Sequence, residues 1–237
     1  MTDFFTLKWG DKYGPEYVNR LYGSLKTHYH LPFTFTCYTD NHQGLREEVL
    51  VRDIQDLRPY DTDRVFTYEK IILTEKHEEG ILFDLDVLIH KDITIEAQKK
   101  VTSLCGITMI WNYWNDYDTR SLAKYGKGVS CHVNSSFVKW KNADWLVQYT
   151  HDNWKKIEFT YRSLDKYLFY QHARNDRLSY WNKSICSNYN RERLELNNKI
   201  TLFNTSHVNY ANLPGREFEL HEADKETVKL WKNYENA

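Results

Sequence analysis

Gly80-Ile-Leu-Phe-Asp-Leu-Asp-Val-Leu-Ile-His90 is an apolar run broken by two carboxylates, Asp84 and Asp86. Without them it reads as one buried β-strand. Ile81, Phe83, Leu85 and Val87 fall on one side and Leu82 and Leu88 on the other, the pattern of a central strand covered on both faces. Residues two apart on a strand point the same way, about 6.5 Å apart at about 3.3 Å of rise per residue, so the spacing predicts that Asp84 and Asp86 share a face. Two like charges in such dry surroundings each cost several kcal/mol unless a cation compensates them or the strand opens there into a cleft. A divalent cation meets that need. Hard carboxylate oxygens suit Mg²⁺ or Mn²⁺, with substrate phosphates and water filling the remaining positions. The plainer alternative is that one Asp pairs with a Lys or Arg and the other is exposed at the strand end.

The 237 residues, 41% of them apolar, suffice for a sizeable core in a single domain. A net charge of −1 and a pI near 6.8 leave no global basic field, which argues against nucleic-acid binding as the main role. Eight Trp and 18 Tyr suit a groove that holds sugars or bases, or else an aromatic-rich core and surface. The opening Met1 to Lys8 has no basic segment ahead of an apolar one, and no run of 18 apolar residues occurs, which predicts neither signal peptide nor membrane span. Cys37, Cys105, Cys131 and Cys186 are far apart and form no Cys-x-x-Cys pair, so zinc and a disulfide framework are not expected and a reducing cytoplasm is. In that compartment the sequons at Asn134, Asn182 and Asn204 are chemically idle.

Asp3 to Lys8 reads as a strand, Pro15 to His30 as an amphipathic helix and Phe33 to Tyr38 as a second strand, the spacing of a βαβ unit. Ligands of such sheets bind at the carboxyl ends of strands. The loop there is Trp9-Gly-Asp-Lys-Tyr-Gly14, which offers Lys12 and Tyr13 beside Lys8, or is an ordinary strand-to-helix turn. No Gly-x-Gly-x-x-Gly or Walker pattern is present. Val49 to Ile54 predicts a strand and Val65 to His77 a helix carrying Lys70, either a diphosphate ligand or a lysine on an exposed helix face. Cys105 to Trp111 predicts a strand, followed by the aromatic and amide loop 112–118 with Tyr113 and Trp114, a composition that recognises polar ligands or packs as a lid. Gly128 to Trp140 predicts a strand with a polar centre at Asn134, Ser135 and Ser136, whose polar atoms need partners. Helices are expected from Ala143 to Trp154, capped by Asn142, from Ser163 to His172 and from Asp224 to Tyr234, with a strand from Ile200 to Phe203.

Together these segments resemble the GT-A-type nucleotide-sugar glycosyltransferases, particularly the glycogenin-like branch and related short bacterial and phage enzymes. The resemblance runs from Phe4 to about His207 and rests most on Ile81 to Ile93, which is similar to the family's Asp-x-Asp strand. Thr6-Leu-Lys-Trp-Gly-Asp-Lys-Tyr13 resembles its first nucleotide-binding loop, and Lys70 falls where the family carries a lysine on the preceding helix. Asn134-Ser-Ser-Phe-Val138 is similar to the family's donor-sugar segment Asn-Ser-Gly-Val. Asp165 stands near its Asp-Gln pair, with Lys166 in place of Gln. Where the family has a metal-binding His in Phe-His-Gly, this chain has Phe203-Asn204, leaving Asn204 and His207 as candidate third ligands.

The resemblance implies one α/β domain over 1–237, a GT-A-like, mixed but mostly parallel sheet flanked by helices. In it about 1–110 holds nucleotide, about 111–215 handles donor sugar and acceptor, and 216–237 is a helical tail. The implied reaction is transfer from a nucleotide-diphosphate sugar, UDP in preference to GDP, to a sugar, glycan or protein acceptor with retention, dependent on Mn²⁺ or Mg²⁺. Thr6, Leu7, Lys8, Tyr13, Lys70, Asp84 and Ser135 would bind nucleotide or donor. Asn134 and Asp165 would serve catalysis, and Asp84 and Asp86 the metal. Two other readings remain. Ile81-Leu-Phe-Asp-Leu-Asp86 also resembles the first motif of haloacid-dehalogenase-like phosphatases, and a non-catalytic carbohydrate-binding or degenerate transferase module would fit the missing His.

Overall fold

The computed structural model describes residues 1–60, 68–112, 131–161, 163–189, 197–203 and 220–237. The first βαβ unit is β1 (Thr2–Lys8), α1 (Pro15–His28) and β2 (Phe33–Thr39). Pro15 starts α1, where a missing N–H costs nothing. Next come β3 (Leu50–Asp53), α2 (Glu69–Lys76), β4 (Glu79–Phe83), β5 (Val87–Ile89), the short α3 (Thr94–Gln98) and β6 (Ile107–Trp111). The remainder is β7 (Val133–Lys141), α4 (Asp144–Thr160), α5 (Leu164–Gln171), β8 (Ser179–Tyr180), β9 (Cys186–Asn188), β10 (Ile200–Leu202) and α6 (Lys225–Asn233).

Seven strands form one mixed sheet in the order β3-β2-β1-β4-β7-β6-β8. β3, β2, β1 and β4 are parallel, and β7 runs antiparallel to both β4 and β6. After β1 the chain moves outward to β2 and β3, then returns to place β4 on β1's other side. The order therefore reverses between β1 and β4, and in open α/β sheets ligands bind at the carboxyl ends flanking such a switch point. The sheet has a core on each face. Phe4, Phe35, Ile81, Phe83 and Phe137 pack beneath α1, α6 and a second sheet, while Phe5, Leu7, Leu82, Val138 and Trp140 pack beneath α2 and α4. Much of the aromatic content goes here: Phe83 stacks on Phe137 at 4.6 Å between ring centroids, and Phe137 on Trp181 at 4.3 Å. Among the described residues no helix is long and apolar enough to cross a membrane.

Gly80 to His90 is not one strand. β4 stops at Phe83, Leu85 and Asp86 form a turn, and β5 pairs with β10 in a separate three-stranded sheet, β5-β10-β9. The Asp84 N–H still donates to the Ser136 carbonyl at 2.9 Å, after which the chain leaves the large sheet, and the Asp86 carbonyl accepts from Phe203 N–H at 2.9 Å. A sheet buried on both faces has no place for two carboxylates, so the chain turns out at its carboxyl end. Asn142 does not cap α4 with its side chain. It adopts a left-handed φ of 52° and its N–H binds the Glu78 carbonyl, while α4 runs six residues past Trp154. Ser163 does cap α5, its Oγ accepting from Lys166 N–H.

Candidate active site

At the carboxyl ends of β1 and β4, the loop Trp9 to Gly14 faces the turn Asp84 to Asp86. Gly10 has φ +63°, a conformation glycine adopts freely, and its N–H is held by the Asp40 carboxylate at 2.9 Å. Asp40 closes β2, the strand beside β1, and ties the loop back to the sheet; an acidic residue at the end of the second strand is the sequence signal that would have singled it out. The Tyr13 hydroxyl donates to Asp86 Oδ2 at 3.3 Å, and Lys12 Nζ lies 5.0 Å from the Tyr13 ring centroid. Arg58, ion-paired with buried Glu69 at 3.1 Å, sits 5.7 Å over the ring of Trp9.

Asp84 is bound bidentately by Lys70, whose Nζ lies 2.7 Å from Oδ1 and 2.9 Å from Oδ2. The same ammonium donates to the Ser135 carbonyl and to Ser135 Oγ, each at 3.0 Å. Asp165, in the first turn of α5, accepts the Ser135 N–H at 3.1 Å. Helix α2, strand β7 and helix α5 thus meet through Lys70, Ser135 and Asp165 around one carboxylate. Asp86 instead receives the Tyr13 hydroxyl. Burial first, and then the neighbouring Asp84 charge, push its carboxyl well above the usual carboxylate range, with Lys70 and Lys12 opposing.

Several candidates have structural contacts. Thr6 is fully buried and its Oγ1 donates to the Phe83 carbonyl at 2.9 Å, bracing β1 against β4. Leu7 is buried in the α2 side of the core. Lys8, at the end of β1, is 5% exposed. Asn134 Oδ1 accepts the Ser136 N–H at 2.8 Å, which shapes the polar centre of β7. Tyr113, Trp114, Asn204 and His207 lie outside the described residues.

Solved structures of low sequence identity share this fold. The galactosyltransferase LgtC, crystallised with donor and acceptor sugar analogs, superposes at TM-score 0.60 with 11% identity, over 98% of this chain and 96% of its own. The bifunctional glycosyltransferase WbbM superposes at TM-score 0.64 with 9% identity, over 98% of this chain and 50% of its own. Mouse xyloside xylosyltransferase 1 does so at TM-score 0.53 with 9% identity, over 86% of this chain and 98% of its own. The chain has the GT-A glycosyltransferase fold. No family model matches the sequence and no curated protein matches it, so the likeness is one of fold.

In this GT-A fold the donor set suits a hard divalent cation. Asp84 and Asp86 are two carboxylates beside each other at the switch point, and a cation would relieve both the repulsion between them and the desolvation of Asp86. Among the described residues no group of three or more His, Cys, Asp or Glu side chains is placed to hold a metal. A two-carboxylate set completed by phosphate and water is the usual way Mg²⁺ is bound.

Proposed function

We propose that the protein is a glycosyltransferase that moves a sugar from a nucleotide-diphosphate donor, UDP-linked in preference to GDP-linked, to a hydroxyl of a sugar, glycan or protein. The observation that carries this reading is the pair Asp84 and Asp86 at the carboxyl end of β4, opposite the first βα loop at the strand-order reversal. Asp84 and Asp86 would hold Mn²⁺ or Mg²⁺; when bound, the cation neutralises charge developing on the departing diphosphate. The Trp9 to Gly14 loop, with Lys12 and Tyr13 beside the end of β1 at Thr6, Leu7 and Lys8, receives the nucleotide. Lys70 brings a second positive charge to the diphosphate side, and Asn134 and Ser135 line the donor sugar. Asp165 fixes Ser135 through its N–H. The bond from the anomeric carbon to the diphosphate oxygen breaks, releasing nucleoside diphosphate, and one to the acceptor oxygen forms as that hydroxyl's proton passes to the departing diphosphate. Tyr113 and Trp114 cover the acceptor, and Asn204 or His207 is a third metal ligand. Retention of configuration follows from the resemblance to the glycogenin-like branch.

On this reading about 1–110 forms the nucleotide half and about 111–215 the donor-sugar and acceptor half. Four free cysteines, three of them buried, suit a reducing cytoplasm. The phosphatase reading loses its support, because its motif opens a domain, whereas here the carboxylates follow the fourth strand and adjoin an antiparallel β7.

The test is release of nucleoside diphosphate from a panel of UDP- and GDP-sugars with and without Mn²⁺, with NMR of the product anomer. Metal-dependent release is expected. Tight binding of a nucleotide sugar without turnover over a broad acceptor panel would favour the non-catalytic module, and neither binding nor turnover would overturn the assignment.

A further inference from the structure

We propose that Lys70 is an internal stand-in for the divalent cation: its ammonium occupies Asp84 in the metal-free protein and must leave that carboxylate when metal and diphosphate enter. This rests on the reading of Asp84 and Asp86 as metal-holding. The first observation is the shell around Nζ. Four oxygens surround it, Asp84 Oδ1 at 2.7 Å, Asp84 Oδ2 at 2.9 Å, and the carbonyl and Oγ of Ser135 at 3.0 Å each. An ammonium has only three hydrogens, so at least one contact is shared, and the set resembles an oxygen cage around a cation more than a single ion pair. The Lys70 side chain is only 10% exposed, which places the charge inside the site and not on a solvated helix face.

The second observation is that the backbone beneath the cage is held without the lysine. Ser135 is tied through its N–H to Asp165 at 3.1 Å, and Asp84 through its own N–H to the Ser136 carbonyl at 2.9 Å. The main chain that carries both groups is therefore anchored independently of the ammonium. The third is the asymmetry of the pair: Lys70 bonds to Asp84, while Asp86 receives the Tyr13 hydroxyl at 3.3 Å. A divalent cation held by Asp84 and Asp86 would compete with Lys70 for Asp84, two positive charges for one carboxylate. A diphosphate removes the conflict by giving Lys70 another anion. Metal alone is then opposed, metal with diphosphate is favoured, and by linkage each raises the affinity of the other equally.

The experiment is a Mn²⁺ titration of wild type, Lys70→Met and Lys70→Arg, followed by the EPR signal of free Mn²⁺, with and without inorganic pyrophosphate as a base-free diphosphate, each read against a protein-free titration because pyrophosphate itself takes up Mn²⁺. Folding is checked by circular dichroism, and Lys70→Gln carries the same expectation should Lys70→Met not fold. Lys70→Met should bind Mn²⁺ alone about tenfold tighter than wild type and lose about the same factor of synergy with pyrophosphate, while Lys70→Arg stays weak. A folded Lys70→Met that binds Mn²⁺ no tighter than wild type, where wild type binds Mn²⁺ with pyrophosphate, overturns the stand-in role and leaves the metal site intact. Absence of Mn²⁺ binding to wild type even with pyrophosphate overturns both.

Discussion

The two ends of β4 are four residues apart and handle charge in opposite ways. At the amino end Glu79 lies 2.6 Å from Lys141 and 3.8 Å from Lys139, and Gly80 lets the strand lie against Phe5 and Trp140. A cavity of about 550 Å³ opens there, its lining including the acids Asp3, Glu78 and Glu79 and the lysines Lys76 and Lys139. At the carboxyl end Lys70 binds Asp84, and Asp86 receives the Tyr13 hydroxyl. Two neighbouring carboxylates at the strand-order reversal mark the carboxyl end, because the second of them is costly to hold charged without a ligand.

The strongest way to break that contrast is to neutralise each end in turn. Asp84→Asn or Asp86→Asn should lower turnover by about a thousandfold or more and remove metal-dependent nucleotide binding in a protein that remains folded. Glu79→Gln should leave turnover within about twofold. Near-wild-type activity of either Asp variant at limiting Mn²⁺ would reverse the assignment of the two ends.

At the amino end the expected effects are on stability. A Cβ at Gly80 would lie 2.6 Å from Phe5 Cε2 and 2.6 Å from Trp140 Cζ2, atoms packed on both sides in the core. Gly80→Ala should therefore cost about 1–3 kcal/mol in urea unfolding, with kcat little changed in the folded fraction. A variant as stable as wild type would show that these rings yield.

His172 separates an unsatisfied polar group from an uncompensated charge. It is fully buried, neither ring nitrogen has a hydrogen-bond partner among the described residues, and the rings of Trp145, Tyr149 and Tyr167 stand nearly perpendicular to it at 5.1–5.5 Å. Burial, with Arg177 adding to it, pushes its pKa down to about 4. The folded protein thus keeps His172 neutral while the unfolded chain protonates near pH 6.5, so stability from this group is full above pH 6.5 and falls as pH drops toward 4. His172→Phe should flatten that decline by about 2 kcal/mol in denaturation measured across the same window, without altering nucleotide binding. An unchanged pH profile would show that this imidazole titrates alike in the folded and unfolded chains.

The smallest effect is expected on the acceptor side. Trp114→Ala should raise the acceptor KM about fivefold, a loss on the order of 1 kcal/mol of stacking, with the donor KM unchanged. Equal kinetics toward both substrates would remove residue 114 from the site.

Local order was legible from the chain itself. Pro15 and the apolar spacing of α1 marked the first βαβ unit, Asp224 marked the start of α6, and Asp84 with Asp86 marked the place where an apolar run needed an exit or a cation. These are consequences of turn chemistry, side-chain period and desolvation, which act over a few residues. Only the tertiary structure decided that the run breaks at Phe83, because β5 finds its partner in β10, more than a hundred residues later. It alone decided that Asp84 meets Lys70, that Lys70 meets Ser135 and that Ser135 meets Asp165, contacts spanning 14, 65 and 30 residues. It also sent Phe83, Phe137 and Trp181 into a stacked core ladder, and turned Thr6 into a brace between strands. The reason is physical: a carboxylate's need for a partner is written in its own chemistry, but which lysine answers it depends on a sheet order that no short stretch encodes.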